Sequence, residues 1–65
     1  MKVRYFEDTD TLYIQLKDEK PSQTKELNEN VMLELDAQSK VIALTIEHVK
    51  QGSSKLDFSY ETEAA

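Results

Sequence analysis

The strongest constraint in this sequence is the alternation of apolar and polar residues in short runs. A period of two is typical of half-buried β-strands, because successive side chains of a strand point to opposite faces of the sheet. The pattern occurs at residues 2–7, 11–16, 31–36 and 41–49, and no long helical pattern is evident. The sequence therefore predicts a mainly β fold: a small antiparallel sheet of four to five strands, built from two hairpins, with little or no helix.

Polar segments separate these runs, and their composition predicts turns and loops. Residues 8–10 (Asp, Thr, Asp) join the first hairpin, and residues 36–40 join the second. Asp and Thr favour such turns because their side chains hydrogen-bond to nearby backbone. Between the hairpins we expect a loop at 17–22, a short edge strand at 23–27 and a turn at 28–30.

The length of the chain limits it to one domain. With 65 residues it buries only about 60% of the surface that the unfolded chain exposes, so one core is marginal. The chain has no cysteine and a single histidine, His48, so neither disulfides nor a zinc site reinforce it. We predict one β domain at residues 1–50 and a polar C-terminal tail at 51–65, either an extra strand or disordered.

The predicted strands place their apolar residues on one side of the sheet. Those residues are Val3, Tyr5, Leu12, Ile14, Leu16, Val31, Leu33, Leu35, Ile42, Leu44 and Ile46. A sheet face of this kind must pack against another layer, and no amphipathic helix is present to supply it. We therefore expect the face to be covered by the C-terminal segment, by a second subunit or by both, which favours a homo-oligomer and most simply a dimer.

The charge of the chain restricts its partners. The formal net charge is −5, and the eight basic residues are scattered singly. Phosphate backbones are repelled by such a surface, so we expect no nucleic-acid binding, whereas a basic protein partner is compatible. The longest apolar run is too short to cross a bilayer, and residues 1–5 lack signal-peptide features. Together with the absence of cysteine, this predicts a cytoplasmic protein with no membrane association.

Residues 1–50 also contain a recognisable order of short motifs. The sharpest is the run Asp10, Thr11, Leu12, Tyr13 and Ile14, in which a turn carboxylate leads into a strand. The other matching positions are Tyr5, Leu16, Val31, Leu33, Asp36, Ile42, Leu44 and Ile46. On these residues the chain resembles a family of small, mostly bacterial proteins catalogued as domain of unknown function 2283. Some members look like partners of small toxin-like proteins, so the resemblance implies an antitoxin-like role by analogy.

Five positions depart from the pattern of that family. Phe6 stands where relatives place Asp and Thr45 where they place Glu, while Asn30, Ser39 and Ala43 stand at glycine positions. Any chemistry that the family shares at its polar positions is partly lost here. The resemblance thus supports the fold more than a function.

No complete catalytic, cofactor-binding or metal-binding motif is present, so we expect a non-catalytic interaction module. The alternative is a metal-dependent or acid–base enzyme that uses Asp8, Asp10 and Asp36 with His48. The spacing of Asp8 and Asp10 begins like a calcium loop but lacks the downstream Gly and Glu. We favour turn chemistry for these carboxylates and a surface or interface role for the histidine.

Two groups of residues are candidates for interaction. The first is Phe6, Asp10, Tyr13 and Met32. Tyr13 lies on the second face of the predicted sheet, where with Met32, Phe6 and Arg4 it forms either a shallow aromatic patch for a ligand or partner or ordinary cross-strand pairs. We favour the pairs. The second group is Leu56, Phe58 and Tyr60, which alternate with polar residues. They form either a binding strand that adds to a sheet edge, a swapped or locally packed strand, or a disordered tail.

Overall fold

A computed structural model of the chain describes residues 1–50 and 56–64. Within these residues there is no helix, and hence none able to cross a membrane. The described part forms one five-stranded antiparallel sheet in the order β1-β2-β5-β4-β3, which confirms the mainly β prediction. The strands are β1 (Lys2–Phe6), β2 (Thr11–Gln15), β3 (Gln23–Asn28), β4 (Val31–Leu35) and β5 (Val41–Glu47).

Both predicted hairpins are present, as the pairs β1–β2 and β4–β5. They are joined by the pairing of β2 with β5, which sets Leu12 opposite Ile46 and Ile14 opposite Leu44. Strand β3 pairs with β4 at the outer edge, as predicted for residues 23–27, and extends one residue further. The central strand β5 therefore pairs with one strand from each half of the chain.

Side chains of the turns satisfy the backbone where the strands reverse. Asp36 Oδ1 accepts hydrogen bonds from the amides of Gln38 and Lys40, both at 2.9 Å. Asn28 Oδ1 accepts one from the amide of Asn30 at 2.8 Å. Ser39 has a φ of 64°, a left-handed conformation that glycine adopts more readily. The predicted turn chemistry is thus confirmed at both places.

The register brings the apolar side chains together on one side of the sheet, which we call the apolar face. Its members are Val3, Tyr5, Leu12, Ile14, Val31, Leu33, Leu35, Ile42, Leu44 and Ile46. The core lies at the centre of this face, where Ile42 is 1% exposed and Leu12 and Leu35 are buried. Ala43 is buried on the opposite side, which we call the polar face.

No described strand forms a second layer over the apolar face. Each strand contacts only its neighbours in the sheet. Residues 56–64 form no strand, and Phe58 and Tyr60 are 55% and 74% exposed. The predicted extra strand is therefore not seen in this part of the tail, and residues 51–55 and 65 lie outside the described residues. That a second subunit covers the face remains a prediction.

Truncation of Ile42 tests where the core lies. Ile42→Ala should lower the free energy of unfolding by about 2–5 kcal/mol, the usual cost of emptying a buried site. Leu27→Ala, at an exposed position of the β3 edge, should change it by no more than about 0.5 kcal/mol. Urea unfolding of both variants at one protein concentration measures the difference. Equal stability of the two variants would contradict this placement of the core.

Candidate functional site

The turn of the first hairpin places one carboxylate beside a tyrosine. The amide of Asp10 donates to the carbonyl of Glu7 at 3.4 Å, and Asp10 has a φ of 53°. Asp tolerates this left-handed conformation better than most residues. In this conformation the carboxylate reaches back to β1, and the Tyr5 hydroxyl donates a 2.6 Å hydrogen bond to Asp10 Oδ1.

The same carboxylate binds the chain where it leaves β5. The backbone amide of Lys50 donates to both oxygens of Asp10 at 3.1 Å, and the Val49 amide donates to the Asp10 carbonyl at 3.2 Å. Lys50 Nζ lies 5.0 Å from the centroid of the Tyr5 ring, within cation–π range. We call this arrangement the Tyr5–Asp10–Lys50 clip. It fastens the end of the last strand to the first hairpin.

The hydrogen bonds of the clip favour the ionised carboxylate. The Tyr5 hydroxyl lowers the pKa of Asp10 most strongly, and the amide and charge of Lys50 and the nearby His48 act in the same direction. The same hydrogen bond is the main cause of a raised pKa for Tyr5. A general base works best with a pKa close to the working pH, and these shifts move both groups away from neutrality. The clip therefore has the properties of a structural contact.

The structure does not assemble the four residues of the enzyme alternative. Asp36 lies in the β4–β5 turn, at the opposite end of the sheet from Asp10, and its carboxylate binds backbone amides of that turn. Among the described residues no three His, Asp or Glu side chains are grouped to hold a metal ion. The grouping of Asp8, Asp10 and His48 with Asp36 was wrong, because sequence spacing does not show that the two turns face opposite ways.

The polar face holds the predicted aromatic group in a different arrangement. Tyr13 lies opposite Arg4 on one side and Thr45 on the other, and Met32 lies beyond Thr45. The Tyr13 hydroxyl donates to Glu34 Oε2 at 3.1 Å, and partial burial followed by this contact raises the pKa of Tyr13. Thr45 therefore separates Tyr13 from Met32. The Tyr13 hydroxyl is bonded to another residue of the sheet, Glu34.

The exposed residues of the candidate groups lie at the margins. Phe6 is 48% exposed at the end of β1, beside an open depression of about 410 Å³ lined by Tyr5 and residues 6–9. All of these residues belong to one hairpin, so the depression has no opposing wall. Ligand pockets usually enclose most of the ligand, and this depression does not have that shape. Leu56 is half-buried, whereas Phe58 and Tyr60 are exposed.

Two contacts of the site were not foreseen from the sequence. Lys50 completes the clip with Asp10, 40 residues earlier, and Glu34 binds Tyr13, 21 residues earlier. Both contacts depend on β5 lying between β2 and β4, an order that residue patterns do not contain.

Comparison with protein families shows a match over residues 2–50. The chain belongs to the DUF2283 family. The description of that family is a protein of unknown function. The match confirms the resemblance and covers all five strands and every residue of the clip. No curated protein and no solved structure matches the chain significantly.

The clip predicts a pH-dependent contribution to the stability of this DUF2283 domain. Because the folded-state pKa of Asp10 is lowered, its contribution is complete above the ordinary pKa of aspartate, about 4, and is lost as the pH falls through the folded value. Asp10→Asn should therefore lower the urea midpoint at pH 7, and the gap to the wild type should narrow below about pH 4.

A matched control is Asp8→Asn, which removes the same charge from an exposed position of the same turn. Its urea midpoint at pH 7 should stay close to that of the wild type. An NMR titration should also show the pKa of Tyr5 moving towards its ordinary value in Asp10→Asn only. Equal effects of the two substitutions would contradict the clip.

Proposed function

We propose that this DUF2283 domain is a non-catalytic interaction module that assembles by packing the apolar face of one copy against that of another. The observation that carries the proposal is an apolar sheet face over which no described strand packs. Apolar surface left in water costs about 25 cal/mol per Å², so a partner that covers this face is favoured. A second copy brings a face of the same chemistry and the same outline.

The size of the face is close to that of a small specific interface. Five strands at about 4.8 Å spacing and five residues at about 3.3 Å rise give a flat footprint of roughly 24 Å by 17 Å. Two copies contribute about 800 Å² of flat area, and the relief of the side chains increases the buried area further. This approaches the roughly 1,000 Å² that a biological interface should exceed.

The distribution of charge supports self-association despite the net charge of −5. The acidic side chains of the strands, Glu26, Glu34 and Glu47, all occupy the polar face. Lys25 is the charged strand residue on the apolar face, and it lies on the edge strand β3. Face-to-face stacking therefore keeps the strand carboxylates of the two copies on opposite outer surfaces, where water separates and screens them.

The same arrangement leaves a surface for a different protein. The three glutamates give the polar face an acidic side, and stacking through the apolar face does not cover it. A basic partner protein, as the net charge and the antitoxin-like resemblance suggest, would meet this side. Self-assembly would then use the apolar face, and partner binding would use the polar face.

A charged residue on the apolar face tests the assembly. Leu44→Lys should raise the dissociation constant of the dimer by at least about 100-fold, since an unpaired buried charge costs roughly 3–5 kcal/mol. Thr45→Lys is the matched control, because Thr45 is the next residue of the same strand and faces the other way. Sedimentation velocity should show two 7.5 kDa chains associated in the wild type and in Thr45→Lys, and mainly one in Leu44→Lys.

Val3→Lys provides a second variant with less risk to the fold, since Val3 is 38% exposed at the β1 edge of the same face. Circular dichroism of each variant checks that the sheet is retained. A wild type that sediments as one chain at millimolar concentration would overturn the proposal, as would a folded Leu44→Lys that associates as strongly as Thr45→Lys.

A further inference from the structure

We propose that residues 56–60 of one copy add as an antiparallel strand to the β1 edge of the other copy. This inference rests on the proposed self-association and specifies a second contact within it. Three features carry it: the pattern of the tail, the chemistry of the β1 edge and the position at which the clip releases the chain.

The tail has the pattern of a strand without the pairing of one. Leu56, Phe58 and Tyr60 alternate with Asp57, Ser59 and Glu61. In the structure these residues pair with no strand of their own chain, and all except Leu56 are exposed. An amphipathic segment of this kind gains backbone hydrogen bonds and apolar contacts when it joins the open edge of a sheet.

The β1 edge matches this pattern on both faces. Within the described residues β1 pairs with β2 alone, so its other side is open. Val3 and Tyr5 lie on the apolar face, and Lys2 and Arg4 lie on the polar face. A strand that adds its apolar residues to the apolar face therefore places its polar residues, Asp57 among them, on the face of Lys2 and Arg4. Opposite charges on neighbouring strands stabilise such a pair.

The other open edge of the sheet does not match. On β3, Lys25 lies on the apolar face and Glu26 on the polar face. A tail added there would set its apolar residues beside Lys25 and its acidic residues beside Glu26. Like charges next to each other on neighbouring strands are destabilising, so β1 is the favoured edge.

The pattern also limits the registers to those that keep Leu56, Phe58 and Tyr60 on the apolar face, and we propose the one that pairs Asp57 with Arg4. Setting Asp57 opposite Arg4 places Phe58 opposite Val3 and Leu56 opposite Tyr5, which widens the apolar face by one strand. A slip of one residue would move every side chain of the tail to the wrong face.

The clip fixes the position of Lys50, from which the chain continues to the tail, close to the apolar face. Lys50 Nζ lies over the ring of Tyr5. Tyr5 belongs to β1 and lies on the apolar face, the face on which the second sheet would stack. The six residue steps from Lys50 to Leu56 can span at most about 20 Å. Stacked sheets lie about 10 Å apart, so the tail can reach the neighbouring copy.

Cysteine trapping tests the contact, and the natural chain has no cysteine to interfere. Two single variants, Arg4→Cys and Asp57→Cys, are mixed and oxidised slowly, and the mixed disulfide is identified by intact mass. The matched control replaces Arg4→Cys by Thr24→Cys, on the polar face of the β3 edge. All three residues are exposed, so the fold should persist. Because a disulfide needs Cβ atoms about 3.5–4.5 Å apart, trapping through Arg4 should be at least about tenfold faster than through Thr24.

The outcomes separate this inference from the proposed function. Selective trapping through Arg4 supports the tail exchange. A wild type that sediments as a dimer, with no mixed disulfide or with equal trapping through Thr24, overturns the tail exchange and leaves the face-to-face assembly standing. The inference is also overturned if a chain carrying both Arg4→Cys and Asp57→Cys closes only on itself. A monomeric wild type overturns both proposals.

Discussion

The constraint on which the structure depends is a five-stranded sheet with one apolar face over which no described strand packs. Strand pairing satisfies the backbone, but a single sheet fully buries few side chains, and Ile42 is the large residue that it encloses almost completely. The sheet is therefore built around β5, whose two neighbours bring the halves of the chain together. The sequence has no cysteine for a disulfide, and residues 1–50 and 56–64 contain no grouped metal ligands. Small domains of this kind often gain stability by association, which is why we propose a second copy as the source here.

The Tyr5–Asp10–Lys50 clip adds a side-chain contact that stabilises one end of this sheet. It joins the first turn to the residues after β5, so the two ends of the folded region hold each other in place. The DUF2283 match ends at Lys50, the residue that closes the clip. The Asp10 carboxylate, which was a candidate for catalysis, thus accepts hydrogen bonds from the Lys50 amide and the Tyr5 hydroxyl. The proposed interactions therefore depend on the two surfaces of the sheet, the apolar face and the polar face with its glutamates.

Local patterns in the sequence were enough to predict most of the fold. Alternation located the strands, and Asp and Asn located the turns, because both signals depend on residues close together in the chain. The pairing of β2 with β5 was not predictable in the same way, since it joins segments about 30 residues apart and depends on three-dimensional competition between faces. For that reason Lys50 was missed as a partner of Asp10, and Asp36 was wrongly grouped with it. The contact of Tyr13 with Glu34 has the same origin.

The central claim is that a second copy covers the apolar face, and the concentration dependence of unfolding tests it most directly. If folding and association are coupled, unfolding of the dimer releases two chains, and its free energy at fixed urea depends on protein concentration. A 100-fold increase in concentration should stabilise the dimer by about 2.7 kcal/mol and move the urea midpoint upward accordingly. A midpoint that stays constant over that range, with unfolding remaining two-state, would contradict the account.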